Sequence, residues 1–294
     1  MRLEHGGMLF LGILIGSVIS YIDPNNLNWN DFIIKFWDKI TLTFFTALFL
    51  EASTFALNDY FDLEIDKKNK REDRPLVRGD LQPKTALYLF ALFFPLGIIC
   101  SYFVNITCFV IALVTAIFAV VYDSHMKRVK FIGNFYVAYT MAIPFVFGGA
   151  AVIEGNALAL DIHPAIFIIA LIAFLAGSGR EIMKDVQDFE GDREKGVRSF
   201  PKYIGKISSN ILAALFYIVA IVLSFFPFFM KQYTIYYSNM AYFLPVLICD
   251  TMLLTTALHL LFKKEPHFKV YRKLTLLAIF VGLLAFLIGA LINF

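Results

Sequence analysis

The sequence predicts an all-α membrane protein, with about nine transmembrane helices arranged around a central cavity. Of its 294 residues, 59% are hydrophobic and 17% are charged, whereas a soluble domain has about 45–50% apolar and about 25% charged residues. The apolar residues form long runs that are almost free of charge, and a single soluble core could not bury so many of them. The basic residues gather in a few loops between those runs.

Nine apolar stretches can be marked, and most reach the roughly 17–25 residues that a helix needs to cross a bilayer. They are 8–22, 40–57, 86–104, 106–122, 131–153, 162–179, 207–230, 240–262 and 274–294. The first is the shortest, and with Arg2 before it the segment could be a signal peptide. Glu4 and His5 do not suit the basic start of such a peptide, and no A-x-A-like cleavage site follows. We therefore expect a helix of the mature protein.

Basic residues are concentrated in the loops 59–84, 123–130, 180–206 and 263–273. Together with Arg2, these loops carry 23 of the 26 Lys and Arg residues. Loops rich in Lys and Arg stay on the cytoplasmic side of a membrane. With nine helices and a cytoplasmic N-terminus, all four loops fall on that side. The pattern predicts one multi-pass domain over residues 1–294 in the cell membrane.

The cysteines and the connecting loops exclude several classes of function. Cys100, Cys108 and Cys249 all lie in apolar segments without metal-ligand spacing, and we interpret them as packing residues. The external connections are short, and the sequence has neither a low-complexity linker nor a nucleic-acid-binding signature. We expect membrane lipids as surroundings, no nucleic-acid partner and no obligate protein partner.

The first acid tip, residues 58–66, lies where the second apolar stretch meets a strongly basic loop. Asn58, Asp62 and Asp66 are spaced i, i+4, i+8. On a helix they share one face. Their oxygen atoms are therefore candidate ligands of one cation.

The second acid tip, residues 184–192, repeats this arrangement after the sixth apolar stretch. Asp185, Asp188 and Asp192 are spaced i, i+3, i+7 and also share a face. Like charges at these spacings destabilise a helix, so two such faces indicate bound cations. Hard oxygen ligands without His or Cys suit Mg²⁺. The alternative is a pair of solvated acidic helix ends matched by nearby Lys and Arg.

Basic residues beside these acids could bind a diphosphate. Arg and Lys next to Mg²⁺ neutralise phosphate and stabilise charge on a leaving group. Each of them could also merely follow the positive-inside pattern. The candidates for phosphate binding are Arg74, Arg78, Lys127, Arg128 and Lys184.

The ordered set of motifs resembles the UbiA-type intramembrane prenyltransferases. The first signature is matched by Asn58-Asp59-x-x-Asp62-x-x-x-Asp66 with Arg74-Pro75-Leu76 and Gly79. The second is matched by Asp188-x-x-x-Asp192, and the stretch between them by Tyr122, Lys127-Arg128 and Gly133-Asn134. The start, Arg2-Leu3-Glu4-His5, departs from the Arg-Pro pair that many members have. The resemblance implies a prenyl diphosphate donor, Mg²⁺ and a hydrophobic tunnel open to lipid.

Within that superfamily, one segment is most similar to the archaeal digeranylgeranylglyceryl phosphate synthases. It reads Arg180-Glu181-x-x-Lys184-Asp185-x-x-Asp188-x-x-Gly191-Asp192. This resemblance implies transfer of geranylgeranyl from its diphosphate to the hydroxyl of geranylgeranylglyceryl phosphate, in ether-lipid synthesis. A lipid-like phosphorylated acceptor needs extra cations, which Arg180 and Lys184 could supply.

The implied mechanism assigns a role to each acid. Asn58, Asp62, Asp66, Asp188 and Asp192, with Asp185 as a further candidate, would hold two Mg²⁺ on the diphosphate. The C1–O bond then ionises to an allylic cation, which the acceptor hydroxyl attacks. Aromatic faces can shelter the cation, and the candidates near the acids in sequence are Tyr60, Phe61, Tyr122 and Phe189. Asp59 or the diphosphate itself could take the proton.

Rival functions remain open at this point. A ring prenyltransferase would use an aromatic acceptor of quinone, haem or chlorin synthesis. A cation transporter could also use paired acids, although transport sites usually lie near the bilayer midplane. Glu51 and Asp250 lie within apolar stretches, where a charge is costly. Each is either functional or a protonated acid bonded to a neighbouring helix.

Overall fold

The computed structural model describes residues 3–21, 29–68, 71–72, 74–124, 129–155, 158, 162–194, 196–263 and 266–292. Its helices are α1 (Leu3–Tyr21), α2 (Trp29–Lys68), α3 (Pro75–Arg78), α4 (Pro83–Val104), α5 (Ile106–Ser124), α6 (Lys130–Ala151), α7 (Pro164–Glu194), α8 (Phe200–Ser224), α9 (Phe226–Phe229), α10 (Met240–Phe262) and α11 (Phe268–Leu291). Across the described ranges no β-strand occurs.

The helices confirm an all-α protein with many membrane-spanning segments. Among the described residues, eight helices are long and apolar enough to cross a membrane. The remaining predicted segment, which is the first in the chain, corresponds to α1, whose apolar part, Gly6–Tyr21, is shorter. Large apolar side chains such as Ile34, Ile207 and Phe262 are exposed on the outside of the bundle. In a bilayer, lipid tails cover such a surface.

Two helices extend well beyond their predicted apolar stretches. α2 has 40 residues and α7 has 31, so the predicted loops 59–84 and 180–206 begin too early. Charged residues such as Glu, Lys and Arg are good helix formers and continue both helices. At 1.5 Å per residue α2 is about 60 Å long, roughly twice the thickness of the bilayer core. Each acid tip is therefore the polar end of a long helix.

Helices α1 and α6 pack with backbones almost in contact. A Cβ atom at Gly16 would lie 2.0 Å from the Phe145 carbonyl oxygen, and one at Gly148 would lie 1.9 Å from that of Ile13. Ser17 Oγ donates a hydrogen bond of 2.9 Å to the Gly148 carbonyl. Small residues allow this close approach of membrane helices. The glycines of α1 and α6 therefore place the shortest predicted stretch firmly in the bundle.

Two asparagines tie helices together at the end of the bundle opposite the acid tips. Asn105 donates to the Ala150 carbonyl at 2.8 Å, which joins the α4–α5 turn to α6. Asn239 begins α10 and donates to the carbonyls of Gly289 and Ile292 at 2.8 and 2.9 Å. Exposed carbonyls are costly near lipid, so these amides stabilise both helix ends.

The three cysteines are free and lie in helices, as their apolar setting predicts. Cys108 is buried, and its Sγ lies 3.6 Å from the Phe147 carbonyl oxygen. This contact joins α5 to α6. Cys108 therefore acts as a small packing residue between helices.

Candidate active site

The first acid tip is held by an arginine from the loop that follows it. Arg74 forms an ion pair with Asp59, and its Nε lies 3.9 Å from Asp66 Oδ2. Asp59 and Asp66 are seven residues apart on α2, so one guanidinium joins two turns of the helix. Asn58 and Asp62 of the same tip are half-buried.

The position of Arg74 follows from a short folded loop. Pro75 begins α3, where its fixed φ favours a helix start. Gly79 ends α3 with φ of +84°, and its N–H donates to the Pro75 carbonyl. Leu76 packs with Leu63 and Ala86 in a small core. This core fixes the loop against α2 and α4, and places Arg74 beside the acids.

The second acid tip is held by two residues of α6. Lys130 Nζ lies 2.6 Å from Asp192 Oδ2 and 3.4 Å from Asp185 Oδ1. Asn134 Nδ2 donates to the other oxygen of Asp185 at 2.7 Å. Asp185 is buried, and Asp192 is half-buried. Asp188, between them in sequence, is exposed at the surface of the tip.

Backbone contacts place the start of α6 beside this tip. Val129 pairs with Arg198 in an isolated parallel bridge, and the Phe131 N–H donates to the Arg198 carbonyl at 3.3 Å. These bonds join the beginning of α6 to the segment after α7. A Cβ atom at Gly133 would lie 2.9 Å from the ring of Tyr122. Glycine therefore lets Tyr122 lie flat against α6.

Tyr122 lies near both tips. Its ring stacks on Tyr136 with 4.5 Å between centroids. The carboxylates close enough to act electrostatically on its hydroxyl are Asp123, Glu181, Asp62 and Asp185. Asp62 belongs to the first acid tip and Asp185 to the second. An acid from each tip therefore lies within electrostatic range of the space beside Tyr122.

Glu181 is a residue of this site that the sequence argument quoted within a motif but gave no role. Its carboxylate is buried and lies 2.6 and 2.8 Å from Lys184 Nζ, and Arg180 Nη1 lies 3.3 Å away. Glu181 is one turn before Asp185, so it continues the acid stripe into the membrane. An acid between two cations in an apolar helix is a signal that could have identified it.

Some predicted phosphate-binding residues are not brought to this space. Arg78 donates to Asp80 Oδ2 at 2.7 Å and to the Glu72 carbonyl at 3.0 Å. With Lys67 and Val77, these residues line a surface pocket outside the tips. Lys127 and Arg128 lie outside the described residues.

The donor atoms near the tips suit a divalent ion shared with phosphate. Among the described residues, no three His, Cys, Asp or Glu side chains form a ready-made ion cage. Mg²⁺ usually binds through one or two carboxylates plus substrate phosphates, so it does not require such a cage. Lys130 shows that Asp185 and Asp192 can hold one cation together. Carboxylate and amide oxygens are also the ligand type that Mg²⁺ prefers.

The two acids within apolar helices differ in their surroundings. Asp250 is buried and accepts a hydrogen bond of 2.7 Å from Ser224 Oγ, which joins α10 to α8. Glu51 is half-buried, and its Oε2 would lie 3.3 Å from a Cβ atom at Gly6 of α1. Asp250 therefore bonds to a neighbouring helix, while Glu51 faces α1 two turns before Asn58.

Comparison with known proteins identifies the family of this chain. The sequence profile of the UbiA prenyltransferase family matches residues 28–275. The chain belongs to the UbiA prenyltransferase family. As a UbiA family member it is a prenyltransferase that spans the membrane several times.

Relatives in the UbiA family show how far the similarity extends. A digeranylgeranylglyceryl phosphate synthase from Archaeoglobus fulgidus is 40% identical over 291 residues, which cover 99% of this chain and 93% of the relative. A solved structure of a digeranylgeranylglyceryl phosphate synthase is 32% identical, has a TM-score of 0.76, and covers 98% of this chain and 95% of its own. A UbiA homolog from Archaeoglobus fulgidus bound to DMAPP and Mg²⁺ shares the fold, with a TM-score of 0.59, 17% identity and coverage of 97% and 98%.

Proposed function

We propose that this chain transfers a geranylgeranyl group from geranylgeranyl diphosphate to the free hydroxyl of geranylgeranylglyceryl phosphate. The observation that carries this proposal is the presence of both acid tips around Tyr122, each with its own bridging cation. Relatives named digeranylgeranylglyceryl phosphate synthase, at 40% and 35% identity over most of the chain, support the choice of donor and acceptor. Residues 1–294 act as one domain in this proposal.

The donor diphosphate binds between the tips. Asn58, Asp62 and Asp66 on α2, and Asp185, Asp188 and Asp192 on α7, would hold the divalent ions. Bound there, Mg²⁺ would neutralise the diphosphate and stabilise it as a leaving group. This assignment rests on the hard oxygen donors of both tips.

Cationic side chains complete the diphosphate site. Arg74 is half-buried beside Asp59 and Asp66, so its guanidinium can turn one edge to a phosphate oxygen while it holds the helix. Lys130 is equally close to the second tip. Charge-assisted hydrogen bonds from these groups stabilise the negative charge that develops as the C1–O bond breaks.

Tyr122 and its neighbours surround the carbon that becomes cationic. The Tyr122 ring stacks on Tyr136 and would line the substrate space between the tips, where an aromatic face stabilises a nearby cation. Other aromatic candidates lie elsewhere. Tyr60 packs in the small core with Leu63 and Leu76, and Lys206 covers the Phe189 ring at 5.3 Å.

The acceptor phosphate is bound by Arg180 and Lys184. Both cations contact Glu181 inside the helix bundle, one turn deeper than Asp185. A phosphate can replace the carboxylate as their partner, since it accepts the same bidentate hydrogen bonds. Asp59 or the departing diphosphate takes the proton of the acceptor hydroxyl. The active site faces the cytoplasm, where the basic loops lie in the predicted topology.

The test is a transfer assay with defined substrates. Purified full-length protein is incubated with labelled geranylgeranyl diphosphate and a panel of acceptors, with and without Mg²⁺, and the products are identified by mass. We expect an ether product from geranylgeranylglyceryl phosphate that requires Mg²⁺. Prenylation of an aromatic acceptor instead would show that the chain is a ring prenyltransferase. Release of diphosphate without any prenylated product would contradict prenyl transfer to either acceptor class.

A further inference from the structure

The ammonium group of Lys130 occupies the side of the second acid tip where a metal ion would bind. Its Nζ lies between oxygens of Asp185 and Asp192, at 3.4 and 2.6 Å. The Lys130 side chain is 30% exposed, whereas those of Asp185 and Asp192 are 3% and 16% exposed. The cation is therefore the more accessible member of the cluster. It can leave without disturbing the buried carboxylates.

A divalent ion and this ammonium group compete for the same oxygens. Mg²⁺ binds carboxylate oxygens at about 2.0–2.1 Å and needs a near-octahedral shell. An ammonium group that is hydrogen-bonded to Asp192 and ion-paired with Asp185 fills part of that shell and repels the ion. Asn134 keeps its hydrogen bond to Asp185 Oδ2. Since that amide is uncharged, it orients the carboxylate without opposing a metal.

Lysine is suited to being displaced. Its charge is compact and lies on a flexible four-carbon stem, whereas the guanidinium of arginine is a planar fork. The backbone at Val129 and Phe131 is bonded to Arg198, so the stem starts from a fixed point. From there the ammonium can move from the carboxylates to a phosphate oxygen bound between the tips.

We propose that Lys130 is a built-in cation that holds the second acid tip until substrate arrives, and so couples metal binding to diphosphate binding. Without diphosphate, Lys130 neutralises Asp185 and Asp192 and weakens metal binding there. When diphosphate enters, it supplies oxygen ligands for the metal and a new partner for the ammonium. The divalent ion and the donor therefore bind together. Lys130 is a positioning residue in this account, and the inference rests on the proposed function.

The test measures metal binding rather than turnover. Mn²⁺, which is paramagnetic, is titrated into purified full-length protein, and free Mn²⁺ is counted by electron paramagnetic resonance, with and without geranylgeranyl diphosphate and with no acceptor. Diphosphate alone in the same detergent corrects for Mn²⁺ that binds in solution. The variants are Lys130→Gln, Lys130→Met and Lys130→Arg. The matched control is Lys206→Gln, which removes another lysine paired with a carboxylate of α7, at the exposed Glu190.

For the neutral variants we expect Mn²⁺ to bind the protein alone about tenfold more tightly than wild type, because one positive charge has left the cluster. The added tightening by diphosphate should shrink in the same variants. Lys130→Arg should keep the weak Mn²⁺ binding of the protein alone, because its positive charge remains. Lys206→Gln should behave like wild type with and without diphosphate. This pattern is not expected of a lysine whose role is only structural.

Two results would overturn the inference. One is wild-type Mn²⁺ affinity in the neutral variants without diphosphate. The other is failure of both neutral variants to fold, since a cation that metal displaces cannot be indispensable to the fold. Failure of wild type to bind Mn²⁺ even with diphosphate present would instead contradict the proposed function, so the two proposals can be told apart.

Discussion

In each acid tip one basic side chain lies between two carboxylates, but the two basic side chains come from different parts of the fold. In the first, Arg74 bridges Asp59 and Asp66. In the second, Lys130 bridges Asp185 and Asp192. Each pair of acids is seven residues apart, so one cation joins two turns of each helix. Arg74 comes from the loop that directly follows its own helix, whereas Lys130 comes from a different helix.

The arrangement of the first tip is therefore local, whereas that of the second depends on packing across the bundle. The first tip needs only α2, α3, the loop between them and the start of the next helix, α4, against which Leu76 packs. The second needs α5 and α6 to be packed against α7, because Gly133 lies on Tyr122 and Phe131 bonds to Arg198. The second tip is therefore assembled only in the folded bundle. The first could hold its arginine with far less of the fold in place.

The largest effect should come from removing the central acid of either tip. Asp62→Ala and Asp188→Ala should each lower kcat by at least about a thousandfold, because several kcal/mol of leaving-group stabilisation is lost. Steady-state assays at saturating Mg²⁺ measure this. Asp80→Ala is the control, since Asp80 is exposed beyond α3. Near wild-type transfer by either tip variant would show that its tip does not hold the metal.

The role of the first tip can be tested by replacing, one at a time, two arginines of the same loop. Arg74→Gln should lower kcat/KM about a hundredfold, the usual cost of losing one charged donor at a developing anion. Arg78→Gln should stay within a few-fold of wild type, because Arg78 is bound to Asp80 and the Glu72 carbonyl away from the tip. Kinetics with varied prenyl diphosphate distinguish them. Equal losses would mean that the loop moves to bring both arginines to the substrate.

Removing the Asn134 amide, which orients Asp185 in the second tip, should have a smaller effect. Asn134→Ala leaves Asp185 without its 2.7 Å partner and should raise the Mg²⁺ concentration for half-maximal activity about tenfold, as is typical for groups that orient metal ligands. The matched control is Gln187→Ala, whose side chain on α7 accepts from Arg272 instead. An unchanged Mg²⁺ requirement in Asn134→Ala would exclude Asp185 from the metal site.

The smallest effect is expected at the exposed ion pair between Glu190 and Lys206. Glu190→Gln should shift Tm by less than about 2 °C, since surface ion pairs contribute little. Its Mg²⁺ requirement should equal that of wild type. A changed requirement would show that the total charge of the second tip matters, rather than the face that carries Asp185 and Asp192.

The sequence predicted the class of fold and the first tip more fully than the second. Apolar runs and basic loops identified the spanning helices, and helical spacing placed Asn58, Asp62 and Asp66 on one face. Arg74 was predicted because it follows the acids closely in sequence, and the structure places it beside Asp59 and Asp66. These are local patterns, which can be recognised in the sequence without knowing how the helices pack.

Lys130 was not identified as a site residue, and Asn134 and Glu181 were quoted in motifs without a role, because their roles depend on packing between helices. Nothing in the local sequence shows that the start of α6 reaches α7. Arg78 illustrates the opposite case, since nearness in sequence suggested a role in phosphate binding while the loop turns it towards Asp80. The lengths of α2 and α7 were underestimated because polar residues continue both helices outside the apolar layer.

The most direct test of the shared site is an experimental structure with Mn²⁺ and a slowly reacting thio analogue of geranylgeranyl diphosphate. Anomalous scattering from Mn²⁺ locates the metal independently of the protein density. We expect Mn²⁺ within coordination distance of carboxylates from both α2 and α7, with the diphosphate between them. Mn²⁺ bound at one tip only, with the other tip turned away from the diphosphate, would contradict the account.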